Sequence, residues 1–173
     1  MSGGLDEAIQ LARKMEMDGI KFYTKAAAQA ANPQGRMLFE SLAADEKRHL
    51  QIVEKISKGF GVDVSAMPMP ADSIKTVFTN AREKIGEEEM VAAGEKEAIR
   101  YAQGMEKDSY DLYVRCADQA EGAQEQTIFA RLAEEENQHY VILDNTLEYL
   151  EQNAKWMLWD EYGLLTGDLS SLQ

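Results

Sequence analysis

Two stretches of the chain, 90 residues apart, share the pattern Glu-x-x-His: Glu46-Lys47-Arg48-His49 and Glu136-Asn137-Gln138-His139. On a helix, residues three apart lie about 60° apart around the axis and one turn apart along it, so both side chains can reach one point. A carboxylate oxygen and an imidazole nitrogen are ligands suited to iron, manganese or zinc. One such pattern arises easily by chance, but these are the only two histidines in the chain. Together the stretches predict helices that carry a metal site.

Both stretches belong to an internal repeat with a period of 90 residues. Identical residues at matching positions include Met15-Glu16 and Met105-Glu106, Tyr23 and Tyr113, Phe39 and Phe129, Glu46 and Glu136, and His49 and His139. More positions match than ordinary residue usage explains, so an internal duplication is the economical interpretation. The two halves are therefore expected to fold alike.

Each half of the repeat predicts two helices joined by a short turn. Apolar residues recur at three- and four-residue steps, the period of a helix face, over residues 5–31, 35–58, 88–120 and 123–153. The breaks between them contain proline or glycine, at Asn32-Pro33-Gln34-Gly35 and at Glu121-Gly122. Helices joined by a short turn pack antiparallel, so each half is a helical hairpin. The predicted fold class is all-α, a four-helix bundle made of two duplicated hairpins.

The hairpins are connected by residues 59–87, and residues 154–173 follow the second hairpin. A connection of about 30 residues suits a long crossover along the bundle rather than a tight turn. Asp72 or Ser73 is expected to begin a short helix within it. The tail around Trp156 is apolar enough to need a partner surface, and docking on the bundle is favoured over a subunit interface.

Length, composition and charge favour a single-domain protein without a nucleic-acid partner. A chain of 173 residues fits one domain with a core of its own, and the formal net charge of -13 argues against a nucleic-acid partner. The chain contains no run of about 18 apolar residues, so no membrane span is predicted. The lone Cys116 excludes an internal disulfide, and it is expected to be a small buried residue. A start without an apolar or Arg-rich leader predicts a cytoplasmic protein.

Two further glutamates complete the predicted site. Glu16 and Glu106 interrupt the apolar faces of the first and third helices, where an unpaired carboxylate would be costly or would take up a proton. Bundles that bind two iron or two manganese ions use one glutamate from each of two helices and Glu-x-x-His from each of the other two. The predicted ligands of two iron ions, with manganese or zinc as alternatives, are Glu16, Glu46, His49, Glu106, Glu136 and His139.

Several polar residues neighbour these ligands. Tyr23 and Tyr113 each follow their glutamate by seven residues, about two turns further along the same helix face. Such a phenol is expected either to hydrogen-bond a ligating carboxylate of a neighbouring helix and orient it for catalysis, or to pack in the core. Asp45, Glu134 and Glu135 are predicted to point elsewhere on their helices, and they are interpreted as surface charge.

These residues resemble the ferritin-like superfamily, and most closely the rubrerythrin-type proteins that lack a rubredoxin domain. The resemblance extends over about residues 5–153 and rests on Met15-Glu16 with Tyr23, Glu46-Lys47-Arg48-His49, Met105-Glu106 with Tyr113, and Glu134-Glu135-Glu136-Asn137-Gln138-His139. It implies a non-haem di-iron centre, held by the six predicted ligands, that reacts with peroxide or oxygen. It also implies that Glu46 and Glu106, or their counterparts in the repeat, bridge the metals, and the choice between these glutamates stays open.

The chain departs from rubrerythrins in two places. Rubrerythrins carry paired Cys-x-x-Cys motifs in a rubredoxin domain, whereas this chain has only Cys116, so a separate protein is expected to donate electrons. Rubrerythrins also carry a second glutamate three residues after the third-helix ligand, where this chain has Ser109. The resulting set of four glutamates and two histidines is closer to that of bacterioferritin and other ferritin-like oxidases.

Three functions follow from the predicted site. The first is an enzyme, a di-iron oxidoreductase that reduces peroxide or oxygen with an external electron donor. The second is a ferroxidase or an iron-storage protein, for which the acidic charge would attract cations. The third is a helical binding module that holds zinc or no metal. Zinc undergoes no redox chemistry, so a zinc-bound site could not exchange electrons with peroxide or oxygen. A homo-oligomer, with a dimer favoured, is expected, and neither nucleic acid nor a membrane is an expected partner.

Overall fold

The computed structural model describes residues 3–59, 61–63, 70 and 93–153. These residues form four helices: α1 (Gly3–Gln29), α2 (Pro33–Ser57), α3 (Ala93–Gln119) and α4 (Ala123–Asn153). The closest packing joins α1 to α2 and α3 to α4, and contacts between α1 and α3 and between α2 and α4 hold the two pairs together. The predicted all-α four-helix bundle of two hairpins is confirmed.

The second helix begins two residues earlier than predicted, at Pro33 instead of Gly35. Proline suits the first position of a helix, because its missing N–H would have no partner there and its φ angle is already helical. Asn32 caps this end: its side-chain oxygen accepts a hydrogen bond of 2.7 Å from Gln34 N. The sequence Asn-Pro therefore starts a helix here, whereas the proline alone suggested a break. At the other end, Gly59 follows α2 with a φ of 74°, which glycine adopts without strain.

Some predictions fall outside the described part of the chain. They concern the crossover at most of residues 59–87, the short helix from Asp72 or Ser73, the start of the third helix at residues 88–92, and the apolar tail at residues 154–173. Where the third helix is described, it begins at Ala93, and the fourth helix is described as far as Asn153.

Two apolar clusters fill the interior, and the 90-residue repeat relates them. The first contains Tyr23, Phe39, Leu42, Ile99 and Ile142, and the second contains their repeat partners Tyr113, Phe129, Leu132, Ile9 and Ile52. The tyrosine and phenylalanine rings have the same arrangement in both clusters, with centroids 6.2 Å apart and planes at 26°. The duplicated sequence thus packs as two hairpins related by approximate two-fold symmetry.

The predicted ligands lie between the two clusters. On α1, Glu16 is placed between Ala12 of one cluster and Tyr23 of the other, and the same order of cluster, ligand and cluster holds on the other three helices. The apolar clusters therefore enclose a thin polar layer in the middle of the bundle. Across the described ranges, none of the helices has both the length and the apolar character needed to cross a membrane.

Candidate metal centre

Six buried side chains meet in the polar layer, and each is at most 4% exposed. Their potential ligand atoms form two groups, and within each group every atom lies within 4.8 Å of the others. The first group is Glu16, Glu46, His49 and Glu136, and the second is Glu46, Glu106, Glu136 and His139. The structure thus brings all six predicted ligands together, and metal ligation by them remains a prediction.

Two glutamates are shared between the groups. Glu46 and Glu136 belong to both, whereas Glu16 and Glu106 belong to one each. The glutamates of the two Glu-x-x-His patterns are therefore the two residues that both groups share. Glu106, which the resemblance offered as a bridge beside Glu46, reaches one group only. One of its oxygens accepts a hydrogen bond from Tyr23, which leaves a single oxygen for the cluster.

The electrostatics of this layer fit a bound cation. Burial raises the pKa of Glu16 well above its usual range, and the charges of Glu46 and Glu136 raise it further. Burial and the charges of Glu136 and Glu106 also raise the pKa of Glu46. In addition, Glu16 Oε2 and Glu46 Oε1 are buried and accept no hydrogen bond. Metal ions would neutralise the repulsion and occupy these free acceptors, and a set of carboxylates and imidazoles suits iron, manganese or zinc.

Each of the two histidines directs its Nδ1 atom towards the glutamates of the cluster. His49 Nδ1 lies 3.0 Å from Glu136 Oε1, and His139 Nδ1 lies 3.3 Å from Glu136 Oε2. Burial lowers the pKa of both histidines, but the charge of Glu136 near His49 and of Glu106 near His139, together with hydrogen bonds to carboxylates, raises each well above its usual range. A metal ion bound at Nδ1 would take the place of a proton there, so metal binding would be linked to pH.

Asp45 and Glu135 are not surface charges, so that sequence-based interpretation is wrong for both. They are 5% and 0% exposed. His49 Nε2 lies 3.0 Å from Glu135 Oε2, and His139 Nε2 lies 3.3 Å from Asp45 Oδ2. Because Nδ1 of each ring faces the cluster, Nε2–H donates to the acid of the opposite hairpin, which fixes the orientation of the ring. Glu134 is exposed, as predicted.

The pattern of a single helix does not reveal the contacts of these two acids, because their partners lie on the other hairpin. A residue one position before Glu46 lies about 100° around the helix axis, which turns Asp45 away from Glu46. The histidine that it meets comes from the other hairpin. One signal was present in the sequence: an acid precedes the ligating glutamate in both halves of the repeat, at positions 45 and 135.

Tyr23 and Tyr113 donate hydrogen bonds from one hairpin to the other. Tyr23 Oη donates to Glu106 Oε1, and Tyr113 Oη donates to Glu16 Oε1. Both rings also belong to the apolar clusters. Each tyrosine therefore packs in the core and also hydrogen-bonds a predicted ligand. Burial raises the pKa of both phenols well above its usual range, and the neighbouring carboxylate raises it further, so each hydroxyl keeps its proton.

A surface cavity of about 270 Å³ opens between α3 and α4 onto one of the cluster residues. It is lined by Glu106, Lys107, Tyr110, Asp111, Asn137 and Tyr140. A water molecule occupies about 30 Å³ in the liquid, so the cavity has room for several molecules of that size. Glu106 therefore lies at the wall of a cavity that is open to solvent.

Comparison with known proteins points to the same class of site. The rubrerythrin family model matches residues 7–147, a range that contains the six clustered side chains and both tyrosines. No curated protein and no solved structure matches the chain. The family match confirms the resemblance recognised from the motifs, including the ferritin-like character of the bundle.

Proposed function

The chain belongs to the rubrerythrin family, and from this premise we propose that it is a non-haem di-iron oxidoreductase that reduces peroxide or oxygen with electrons from a separate donor protein. One observation carries the proposal: the buried cluster divides into two four-residue groups that share Glu46 and Glu136. Bound iron would supply the two electrons that such an oxidant takes up.

The side chains of the cluster would divide the work of holding two ions. Glu16 and His49 would bind one metal position, and Glu106 and His139 the other, while the shared glutamates would bridge them. The apolar cluster on each side of the layer excludes bulk water from these groups.

Residues around the cluster would orient the ligands and admit the oxidant. Tyr23 and Tyr113 hold one oxygen each of Glu106 and Glu16, so only the other oxygen of each glutamate faces the cluster. The cavity at Glu106 supports an approach of peroxide or oxygen to the Glu106 and His139 half of the cluster.

A ferroxidase is the second candidate, because the cluster is symmetric. Each group contains three glutamates and one histidine. Ser109 stands where rubrerythrins carry an additional glutamate, so no extra carboxylate distinguishes one half. A ferroxidase would oxidise ferrous iron as its substrate and then release ferric iron, which makes the iron content after turnover the distinguishing quantity.

Metal analysis followed by peroxide titration tests the proposal. Protein produced in iron-supplemented cells is expected to contain two iron ions per chain. Peroxide added to the ferrous protein should then produce ferric absorption that a reductant reverses over several cycles with the iron retained. His49→Ala and His139→Ala are the controls, and each should lose iron from its own group.

Other outcomes of this experiment have defined meanings. Ferric iron that leaves the protein after one oxidation would favour the ferroxidase. Stoichiometric zinc, or no metal at all, combined with no ferric absorption after ferrous iron is added, would contradict both redox functions and leave a binding module.

A further inference from the structure

Arg48 lies behind the cluster and contacts the acids that hold both histidines. Its Nη2 is 2.8 Å from Asp45 Oδ1 and 2.7 Å from Glu135 Oε2. Asp45 in turn lies against His139 Nε2, and Glu135 against His49 Nε2. A single guanidinium nitrogen is thus linked, through one acid on each side, to both histidines of the cluster.

The position of Arg48 between two buried acids makes its charge important. The side chains of Asp45 and Glu135 are 7% and 0% exposed, whereas that of Arg48 is 21% exposed. Buried carboxylates are stable when they are paired and hydrogen-bonded, and hydrogen bonds between ionised groups are among the strongest in proteins. Arg131 Nε also donates to Glu135, at 3.1 Å, so this acid has two cationic neighbours. Without Arg48 the two carboxylates would lose the donor that they share and would repel each other.

The repeat does not duplicate this cation. The ligands, the tyrosines and the two acids all have counterparts 90 residues away, but the counterpart of Arg48 is Gln138. Gln138 has the same intermediate burial as Arg48, and its Oε1 is buried without a hydrogen-bond partner. Gln138 follows Glu135 by three residues, as Arg48 follows Asp45. Because the hairpins are related by approximate two-fold symmetry, a cation at position 138 would meet the same two acids from the opposite side.

We propose that Arg48 is the positioning residue for both metal positions: by holding Asp45 and Glu135 it aims the His139 and His49 rings at the cluster. The inference rests on the metal site of the proposed function and adds to it a residue that binds no metal yet sets the affinity of both positions. The guanidinium group of Arg48 can position both histidines because it lies at the interface of the hairpins and contacts one acid from each.

Titration of the metal-free protein with Co²⁺, followed by visible absorption, measures the effect independently of catalysis. Wild-type protein is expected to bind two Co²⁺ ions per chain. Arg48→Gln should weaken both binding steps by about 10- to 100-fold, the usual cost of losing a group that orients a metal ligand. Arg48→Lys should stay close to wild type, because one nitrogen contacts both acids. Lys47→Gln removes the same charge from the exposed neighbouring residue, and it should bind as wild type does.

Moving the arginine from position 48 to position 138 distinguishes a role in positioning the two acids from a structural role that is local to α2. The double variant Arg48→Gln, Gln138→Arg is expected to recover both affinities to within about threefold of wild type, since the symmetric position faces the same acids. The double variant keeps one cation between the acids, so it serves as the test even where Arg48→Gln alone does not fold.

Each result decides the proposal. Unchanged Co²⁺ affinities in Arg48→Gln, or affinities that stay low in the double variant, overturn it. Failure of the wild-type protein to bind two Co²⁺ ions would instead contradict the metal site of the proposed function. Two ions bound by wild type, with both affinities lowered in Arg48→Gln and recovered in the double variant, support the role of Arg48 in both positions.

Discussion

At the scale of single residues, the cluster depends on hydroxyl groups that bind no metal. Tyr113 donates to Glu16 and Tyr23 donates to Glu106, in each case across the interface between the hairpins. Glu16 already has one buried oxygen without a hydrogen-bond partner, so loss of the tyrosine hydroxyl would leave both of its oxygens unsatisfied. These tyrosines therefore connect the core to the ligand set.

We expect Tyr113→Phe to weaken Co²⁺ binding by about tenfold in the group that contains Glu16, because the freed carboxylate no longer has a fixed orientation. Tyr23→Phe should act in the same way on the Glu106 group. The titration that measures this has a matched control in Tyr101→Phe, since Tyr101 is 63% exposed. Equal affinities in wild type and both core variants would show that the hydroxyls do not orient the glutamates.

Cys116 provides a prediction that does not involve the metal. The side chain is 0% exposed, which confirms the burial expected from the sequence, and burial raises the pKa of its thiol to about 11. Since the thiolate is the reactive form, the folded protein at pH 8 should react with a thiol reagent far more slowly than the unfolded protein does. Reaction with Ellman's reagent, followed with and without denaturant, measures this ratio. Rapid labelling of the folded protein would contradict the burial of Cys116.

At the scale of helices, α1 makes room for a shared ligand at Gly19. A Cβ atom at this position would lie 3.0 Å from Glu46 Oε2. Few Cβ atoms tolerate so short a contact, and Glu46 belongs to both groups of the cluster. The absence of a side chain at Gly19 is therefore coupled to the placement of Glu46.

We expect Gly19→Ala to weaken both Co²⁺ binding steps, because the added methyl group displaces the carboxylate that both groups share. Gly104→Ala on α3 is the control, since no described atom lies within 4 Å of a Cβ there. That change should raise the free energy of unfolding by about 1 kcal/mol through helix propensity and leave metal binding unchanged. Urea denaturation and Co²⁺ titration of both variants provide the comparison, and normal binding by Gly19→Ala would contradict this role for Gly19.

The sequence predicted the helices and the six clustered residues more completely than their surroundings. Periodicity located four helices, and the repeat selected Glu16 and Glu106 from many other glutamates because both interrupt an apolar face. The roles of Asp45 and Glu135 depend on how one hairpin is aligned against the other, which the pattern of a single helix does not contain. The same limit applies to the choice of Glu46 and Glu136 as the shared pair.

At the scale of the whole molecule, the metal-free bundle buries several carboxylates of like charge, and this repulsion opposes folding. Burial, and after it the repulsion from neighbouring carboxylates, raises the pKa values of Glu16 and Glu46. A ligand that binds the folded state alone stabilises it by about 2.7 kcal/mol per site at a free concentration 100 times its Kd. Two such sites would make stability depend strongly on metal.

We therefore expect the melting temperature to rise by about 10 to 20 °C when the metal-free protein is saturated with Co²⁺, given 2 to 4 °C per kcal/mol for a chain of this size. Differential scanning calorimetry with and without metal measures the rise, and a chelator should reverse it. Glu46→Gln, which removes a shared ligand, should lose most of the effect. A melting temperature that does not respond to Co²⁺ would contradict binding to the folded state.

The sharing of glutamates has a mechanical consequence for the bundle. Each group takes three side chains from one hairpin and one from the other, because Glu136 joins the first group and Glu46 joins the second. An ion in either group would therefore be a cross-link that closes a long loop, like a disulfide between distant residues but removable by a chelator. Two cross-links of this kind would connect the two hairpins across the interface between them. The hairpins could then separate only after both ions had been released.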